Sequence, residues 1–314
     1  MTGSIIPFVR ELCAFGERLG ATALAAADYI SSQLTAGGCE ATVYDFPTAV
    51  PVCESLSLVV DGTEIPALNC SFVGGSIDRS AEVISSLQSS RNHFTIPNIN
   101  SNERCSGLST PNYYAAPAFA VCRDNLERVR AAHSITGVSV VRRTDTVARQ
   151  ILVGNTRAPR VILFSHFDSL FTGAVDNASG TAVMLHLALE RPDLLRDNLF
   201  VFDGNEELSY DAPTYWGHGY RIFESRFGAL LDSAARLGVI DCVGFEPTLL
   251  LNDPETLRVA FPLARAAELA PKTTIFAGSL DGLMPFYHSP LDEIDRLSED
   301  HLRAAAARVA AFAE

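Results

Sequence analysis

The chain has 314 residues, 47% hydrophobic and 19% charged, long enough to bury a large core and too apolar for disorder. A formal net charge of -13 argues against nucleic acid or an anionic membrane as a partner. Lys272 is the only lysine, and G-x-S-x-G, G-x-G-x-x-G and H-E-x-x-H are absent. Schiff-base, P-loop, serine-hydrolase, dinucleotide and helix-borne one-zinc chemistries are all disfavoured.

The first 37 residues carry apolar positions at helical spacing, from Phe8 and Leu12 to Ile30 and Leu34, and Gly37-Gly38 closes the pattern. A strand is expected at 40–46, and a hairpin at 56–65 around Asp61-Gly62. From 74 to 115 the periodicity fades into Ser, Asn and Pro, a poor core segment. A strand at 118–122, a helix at 123–133 and a strand at 135–141 follow. Beyond residue 160, short apolar runs at 161–165, 198–202, 239–245 and 274–277 read as strands buried on both faces. A helix at 179–190 lies between the first two runs, and another begins at Ser298, read as an N-cap. Such alternation implies a mixed, mostly parallel central sheet of the α/β class, covered by helices on both faces.

Seven cysteines, odd in number and without C-x-x-C, read as reduced thiols of a cytoplasmic protein. No signal-peptide pattern opens the chain, and no apolar run reaches the length of a membrane helix.

The ionisable residues gather where such sheets bind ligands. His166 and Asp168 follow the 161–165 strand, Glu206 and Glu207 follow 198–202, and Asp241 lies within or at the end of the 239–245 strand. Asp176 lies in a Gly-Ala-Val-Asp-Asn-Ala-Ser-Gly turn leading into a helix, and His288 precedes the last helix. Two histidines with three carboxylates suit zinc, and a shared carboxylate would let two ions clamp one water. Glu206 and Glu207 are adjacent and point apart if extended, so one can bind metal while the other takes the water proton. Asp241, in an apolar strand, needs a cation to offset its burial.

Five motifs in this order resemble the M28 family of metallo-aminopeptidases and related zinc exopeptidases. They are His166-Phe-Asp168, Gly173-Ala-Val-Asp176-Asn-Ala-Ser-Gly180, Glu206-Glu207, Ile240-Asp241 and Tyr287-His288-Ser-Pro-Leu-Asp292. The resemblance covers residues 140–314 well and 1–50 loosely. It implies two Zn2+ per chain bridged by Asp176, with His166 and Asp241 completing one ion and Glu207 and His288 the other. Glu206 would be the general base, and Asp168 would orient His166. The family's fold is a mixed sheet of about eight strands between helices. Its insertions would account for a subdomain at 54–136 within a catalytic domain of 1–53 and 137–314.

After Glu206-Glu207 the chain departs from the family's Gly-rich run and reads Leu208-Ser-Tyr-Asp-Ala-Pro-Thr-Tyr-Trp-Gly-His-Gly-Tyr220. The longer interval leaves Asp232 and Asp253 as rivals to Asp241. Tyr210, His218 and Tyr287 are the candidate substrate contacts. The expected activity is removal of N-terminal residues from a peptide or small amide substrate. Carboxypeptidase or other amidohydrolase action, glutaminyl cyclisation and a non-catalytic binding role are the alternatives. No nucleic acid or membrane partner is expected, and a homo-oligomer is open.

Overall fold

The computed structural model describes residues 3–88 and 93–314. Residues 1–2 of the expected opening helix and 89–92 of the expected irregular stretch lie outside that range. The chain divides into two compact units. One comprises Met1–Thr48, Thr146–Gly282 and Asp292–Glu314, and the other Ala49–Asp145 and Leu283–Leu291.

The opening periodicity resolves into two helices, α1 (Ile6–Cys13) and α2 (Ala21–Ala36). Between them Gly16 and Gly20 take φ of 68° and 56°, left-handed conformations that interrupt a right-handed helix. β1 (Ala41–Val60) is one continuous strand of 20 residues, where the sequence suggested two separate pieces. It passes from the first unit into the second at Thr48. Asp61 and Gly62, both at positive φ, make the expected two-residue turn to β2 (Thr63–Glu64), pairing Val60 with Thr63.

The second unit holds β3 (Leu68–Asn69), β4 (Gly75–Asp78), β5 (Glu82–Ser85), β6 (Asn98–Ser101), β7 (Ala118–Ala120) and α3 (Arg123–Ala131). A four-stranded sheet runs β3-β7-β6-β5. Contrary to the sequence reading, β6 (Asn-Ile-Asn-Ser) is buried throughout. Its amides are tolerated because they bond locally, Asn100 Nδ2 to Asn98 Oδ1 at 2.9 Å and Asn98 Nδ2 to the Ile96 carbonyl at 3.0 Å. Leu126 and Val129 of α3 join Ile99 and Phe119 in this unit's core. β8 (Ile135–Gly154) begins here, antiparallel to β4, and continues into the first unit.

The first unit then adds β9 (Val161–His166), α4 (Gly180–Glu190), β10 (Asn198–Asp203), α5 (His218–Ser233) and β11 (Arg236–Ile240). It ends with β12 (Leu249–Leu251), α6 (Pro254–Ala260), α7 (Ala266–Leu269), β13 (Thr273–Ala277), the short α8 (Leu280–Leu283) at the boundary, and α9 (Glu299–Ala313). Its strands run β12-β13-β11-β9-β10-β8-β1. β13, β11, β9 and β10 are parallel, while β12 and β8 flank them antiparallel. Successive side chains of β9 and β10 alternate between two cores. Val161, Leu163, Phe200 and Phe202 pack with α1, α2, α4 and α9, and Ile162, Phe164, Leu199 and Val201 pack with α5, α6 and α7. Each such fully buried side chain contributes about 1.5–3 kcal/mol of apolar transfer. The fold is therefore mixed α/β, a large central sheet with helices on both faces.

The last helix starts where expected, but Ser298 makes no capping bond. Glu299 reaches instead to the N-terminus of α1, its carboxylate accepting from the Ile5 and Ile6 N–H groups at 3.0 Å each. All seven cysteines are unpaired. No described helix is long and apolar enough to cross a membrane.

Candidate metal centre

Within the first unit, the strand order β11-β9-β10 brings three parallel carboxyl ends side by side. His166 closes β9, Asp241 follows β11, and Glu206 and Glu207 follow β10 after Gly204-Asn205. The buried His166 ring points Nε2 at Asp176 Oδ1 (3.3 Å) and Asp241 Oδ1 (3.4 Å). Its Nδ1 lies 3.2 Å from the Asp168 carbonyl oxygen and 3.6 Å from Asp168 Oδ1. Burial lowers this imidazole, but bonds to Asp168, Asp176 and Asp241 outweigh it and hold the pKa well above the usual histidine value.

The Asp168 carboxylate also organises the glutamate pair, Oδ1 accepting from Glu206 N–H (3.0 Å) and Oδ2 from Glu207 N–H (2.9 Å). Burial pushes Glu206 well above the ordinary carboxylate range; His166 opposes the shift, while Glu207, Asp168 and Asp241 add to it. Asp176 sits in the turn before α4 with its own N–H and that of Val175 donated to the Asp292 carboxylate at 3.0 and 2.8 Å. Burial raises Asp292 to about 7, despite those two N–H donors.

Two donor sets emerge. His166, Asp176 and Glu207 place one donor atom each within 4.8 Å of one another, and Asp176, Asp241 and Cys242 do the same. Asp176 belongs to both. Imidazole nitrogen, carboxylate oxygen and thiol sulfur are zinc donors, and carboxylates buried this closely need a cation to offset their desolvation. The residues fit zinc. The rivals to Asp241 are engaged elsewhere: Asp232 pairs with Arg265 at 2.8 Å, and Asp253 caps α6 by accepting from Thr256 N–H at 2.9 Å.

Tyr287 and His288 belong to the second unit. There the two rings stack with centroids 3.7 Å apart, and His288 Nδ1 lies 3.2 Å from the Thr110 carbonyl oxygen. Tyr210 is half-buried in the loop after Glu207. His218 starts α5, its Nδ1 2.5 Å from Asp211 Oδ2, which also takes Arg221 at 2.9 Å. Phe46 packs against the His218 ring.

Several residues escaped the sequence reading. Asn177 ties the strand ends together, donating to the Ile240 carbonyl (2.9 Å) and Ser165 Oγ (3.1 Å) and accepting from Gly180 N–H (2.9 Å). Thr181 donates to the His166 carbonyl at 2.8 Å. Asp203, fully buried at the end of β10, accepts from Gln150 Nε2 at 2.7 Å and is raised well above the usual carboxylate range, chiefly by burial. Asn177 and Asp292 lie inside quoted motifs and were legible there. Cys242 had only its place beside Asp241 to mark it, and Asp203 had no signal.

The fold and donors define a zinc metallopeptidase, and the comparisons agree. Residues 147–243, which carry six of these groups from His166 to Asp241, match the model of peptidase family M28. No curated protein matches the sequence. Among solved structures, a zinc aminopeptidase from Bacillus subtilis is similar at 17% identity, covering 98% of this chain and 94% of its own, with a TM-score of 0.66. A peptidase M28 precursor from Shewanella amazonensis SB2B gives 16%, 98%, 92% and 0.67 on the same measures. The glutaminyl cyclase of Porphyromonas gingivalis gives 14%, 99%, 96% and 0.55. At these identities the likeness is one of fold.

Proposed function

We propose that the chain is a two-zinc aminopeptidase. The observation that carries this reading is the pair of donor sets sharing Asp176. Asp176 would be common to both ions; by the family resemblance His166 and Asp241 would hold one and Glu207 and His288 the other, whereas by distance His166 groups with Glu207 and Asp241 with Cys242. Zinc, when bound, supplies Lewis acidity and a water of lowered pKa. Asp168 keeps Glu206 and Glu207 in place through their N–H groups. Glu206 accepts a proton from the attacking water on its carboxylate and returns it to the departing amine as the C–N bond breaks. A carboxyl lifted toward neutrality is suited to that exchange. Tyr210, His218 and Tyr287 are assigned to the substrate, a peptide with a free α-amine. Seven unpaired thiols support a cytoplasmic setting.

The test separates base from ligand. Glu206→Gln should keep both ions by elemental analysis while turnover falls about 10² to 10⁴-fold. Glu207→Gln should lose metal first and regain activity at high zinc. A metal-poor Glu206→Gln beside a metal-replete, inactive Glu207→Gln would reverse the assignment. Equal turnover of free and N-acetylated peptides would remove the aminopeptidase reading. One ion per fully active chain, with cyclisation of N-terminal glutamine, would favour cyclase chemistry.

A further inference from the structure

Arg18 is fully buried in the turn between α1 and α2. Burying a guanidinium costs several kcal/mol unless its donors are satisfied. Among the described residues, its acceptors are all main-chain carbonyls. Nε donates to Phe167 O at 2.5 Å, Nη1 to Thr172 O at 2.7 Å and Nη2 to Gly173 O at 3.0 Å. Longer Nη1 contacts reach Leu12 O (3.3 Å) and Gly16 O (3.4 Å). The main chain of residue 18 also exchanges bonds with Ser169, N to O at 3.2 and 3.3 Å. Burial lowers the guanidinium pKa, while Cys13 and the carboxylates of Asp168, Asp292 and Glu207 oppose that shift.

The three close carbonyls are not scattered. Phe167 immediately precedes Asp168, and Thr172-Gly173 lead into Asp176. Gly173 takes φ of 53°, and a Cβ there would lie 2.3 Å from the Asp176 carbonyl oxygen, so the turn has little slack. On its other side, the Asp292 carboxylate holds the Val175 and Asp176 N–H groups.

We propose that Arg18 is a positioning residue for the metal centre. Its planar fork fixes both ends of the 167–173 loop, and with them the placement of Asp168 and Asp176. Lysine keeps the charge but presents it from a single atom and cannot span three carbonyls in one plane. The proposal rests on the reading of Asp176 as a metal ligand.

The test is zinc affinity of the metal-stripped full chain, by competition with a chromogenic chelator, beside urea denaturation. Arg18→Lys should bind zinc about 10- to 100-fold more weakly, the usual effect of losing a group that orients ligands. Raising zinc should restore its kcat and leave KM unchanged. Gly16→Ala offers a milder route should Arg18→Lys fail to fold. Gly16 and Gly38 both take positive φ with no atom within 4 Å of an added Cβ, so their strain is matched. Gly16→Ala disturbs the turn presenting Arg18 and should weaken zinc binding, whereas Gly38→Ala should not. Loss of stability in Arg18→Lys and Gly16→Ala with native zinc affinity would overturn the proposal. Asp176→Asn run in parallel distinguishes the failures: unchanged zinc affinity there would sink the metal reading itself.

Discussion

Replacing Asp168 by Asn tests how the glutamate pair is held. The native carboxylate accepts Glu206 and Glu207 N–H groups at 3.0 and 2.9 Å, one on each oxygen. An amide of the same shape keeps one acceptor and turns an N–H donor toward the other N–H. One bond to a charged group is lost, worth about 1.5–3 kcal/mol, and a buried donor is left opposed. A compensating gain is conceivable, because Asp168 raises the pKa of both Asp203 and Glu206. That gain is small, since burial already holds both neighbours toward their neutral forms and little repulsion remains to relieve. The net expectation for Asp168→Asn is a loss of about 2–3 kcal/mol, read as a lower urea midpoint of the metal-free chain with unchanged slope. Zinc affinity should fall about 10-fold or more, because Glu207 is displaced. Native stability together with native zinc affinity in this variant would refute the argument.

Glu299→Gln should destabilise by about 1–3 kcal/mol at neutral pH, since the carboxylate accepts from the Ile5 and Ile6 N–H groups and Ser4 Oγ. Its pKa lies below the ordinary 4.5: burial works against this, but those bonds prevail. The contribution is therefore present above that value and lost as pH falls through the lower, folded one. Urea titrations from pH 7 to 3 should show the two proteins converging in acid; a constant difference would exclude the charged cap. Gly219→Ala places a Cβ 2.3 Å from both Asp203 Oδ2 and the Gly204 carbonyl, and should cost about 1–3 kcal/mol or prevent folding. Asp203→Asn should be nearly neutral in the same assay, because burial already favours the uncharged acid. A large loss there would mean that Asp203 is ionised in the folded chain.

The parallel strands were legible because they are buried on both faces. Val161 to Ser165 and Asn198 to Phe202 leave a continuous apolar signature, and the polar residues at their ends stand out against it. β1 and β8 were not legible as single strands. Each changes environment part-way, so the local pattern reads β1 as two pieces and stops β8 at residue 141, although each backbone runs on for 20 residues. β6 failed for another reason: burial of Asn98 and Asn100 depends on amide pairing, which composition does not reveal.

The same distinction governs the site. The residues facing His166 are carboxylates whose chemistry no other side chain supplies, so their types and order mark them in the sequence. The groups that fix their positions act largely through the main chain. Arg18 holds carbonyls, Asp292 and Asp168 hold N–H groups, and Asn177 holds both kinds. A main-chain partner is the same at every residue, so no pattern of side chains announces it. Arg18 is the extreme case. It lies in a stretch read as helix, and its role exists only because Gly16 and Gly20 break that helix and turn the guanidinium inward.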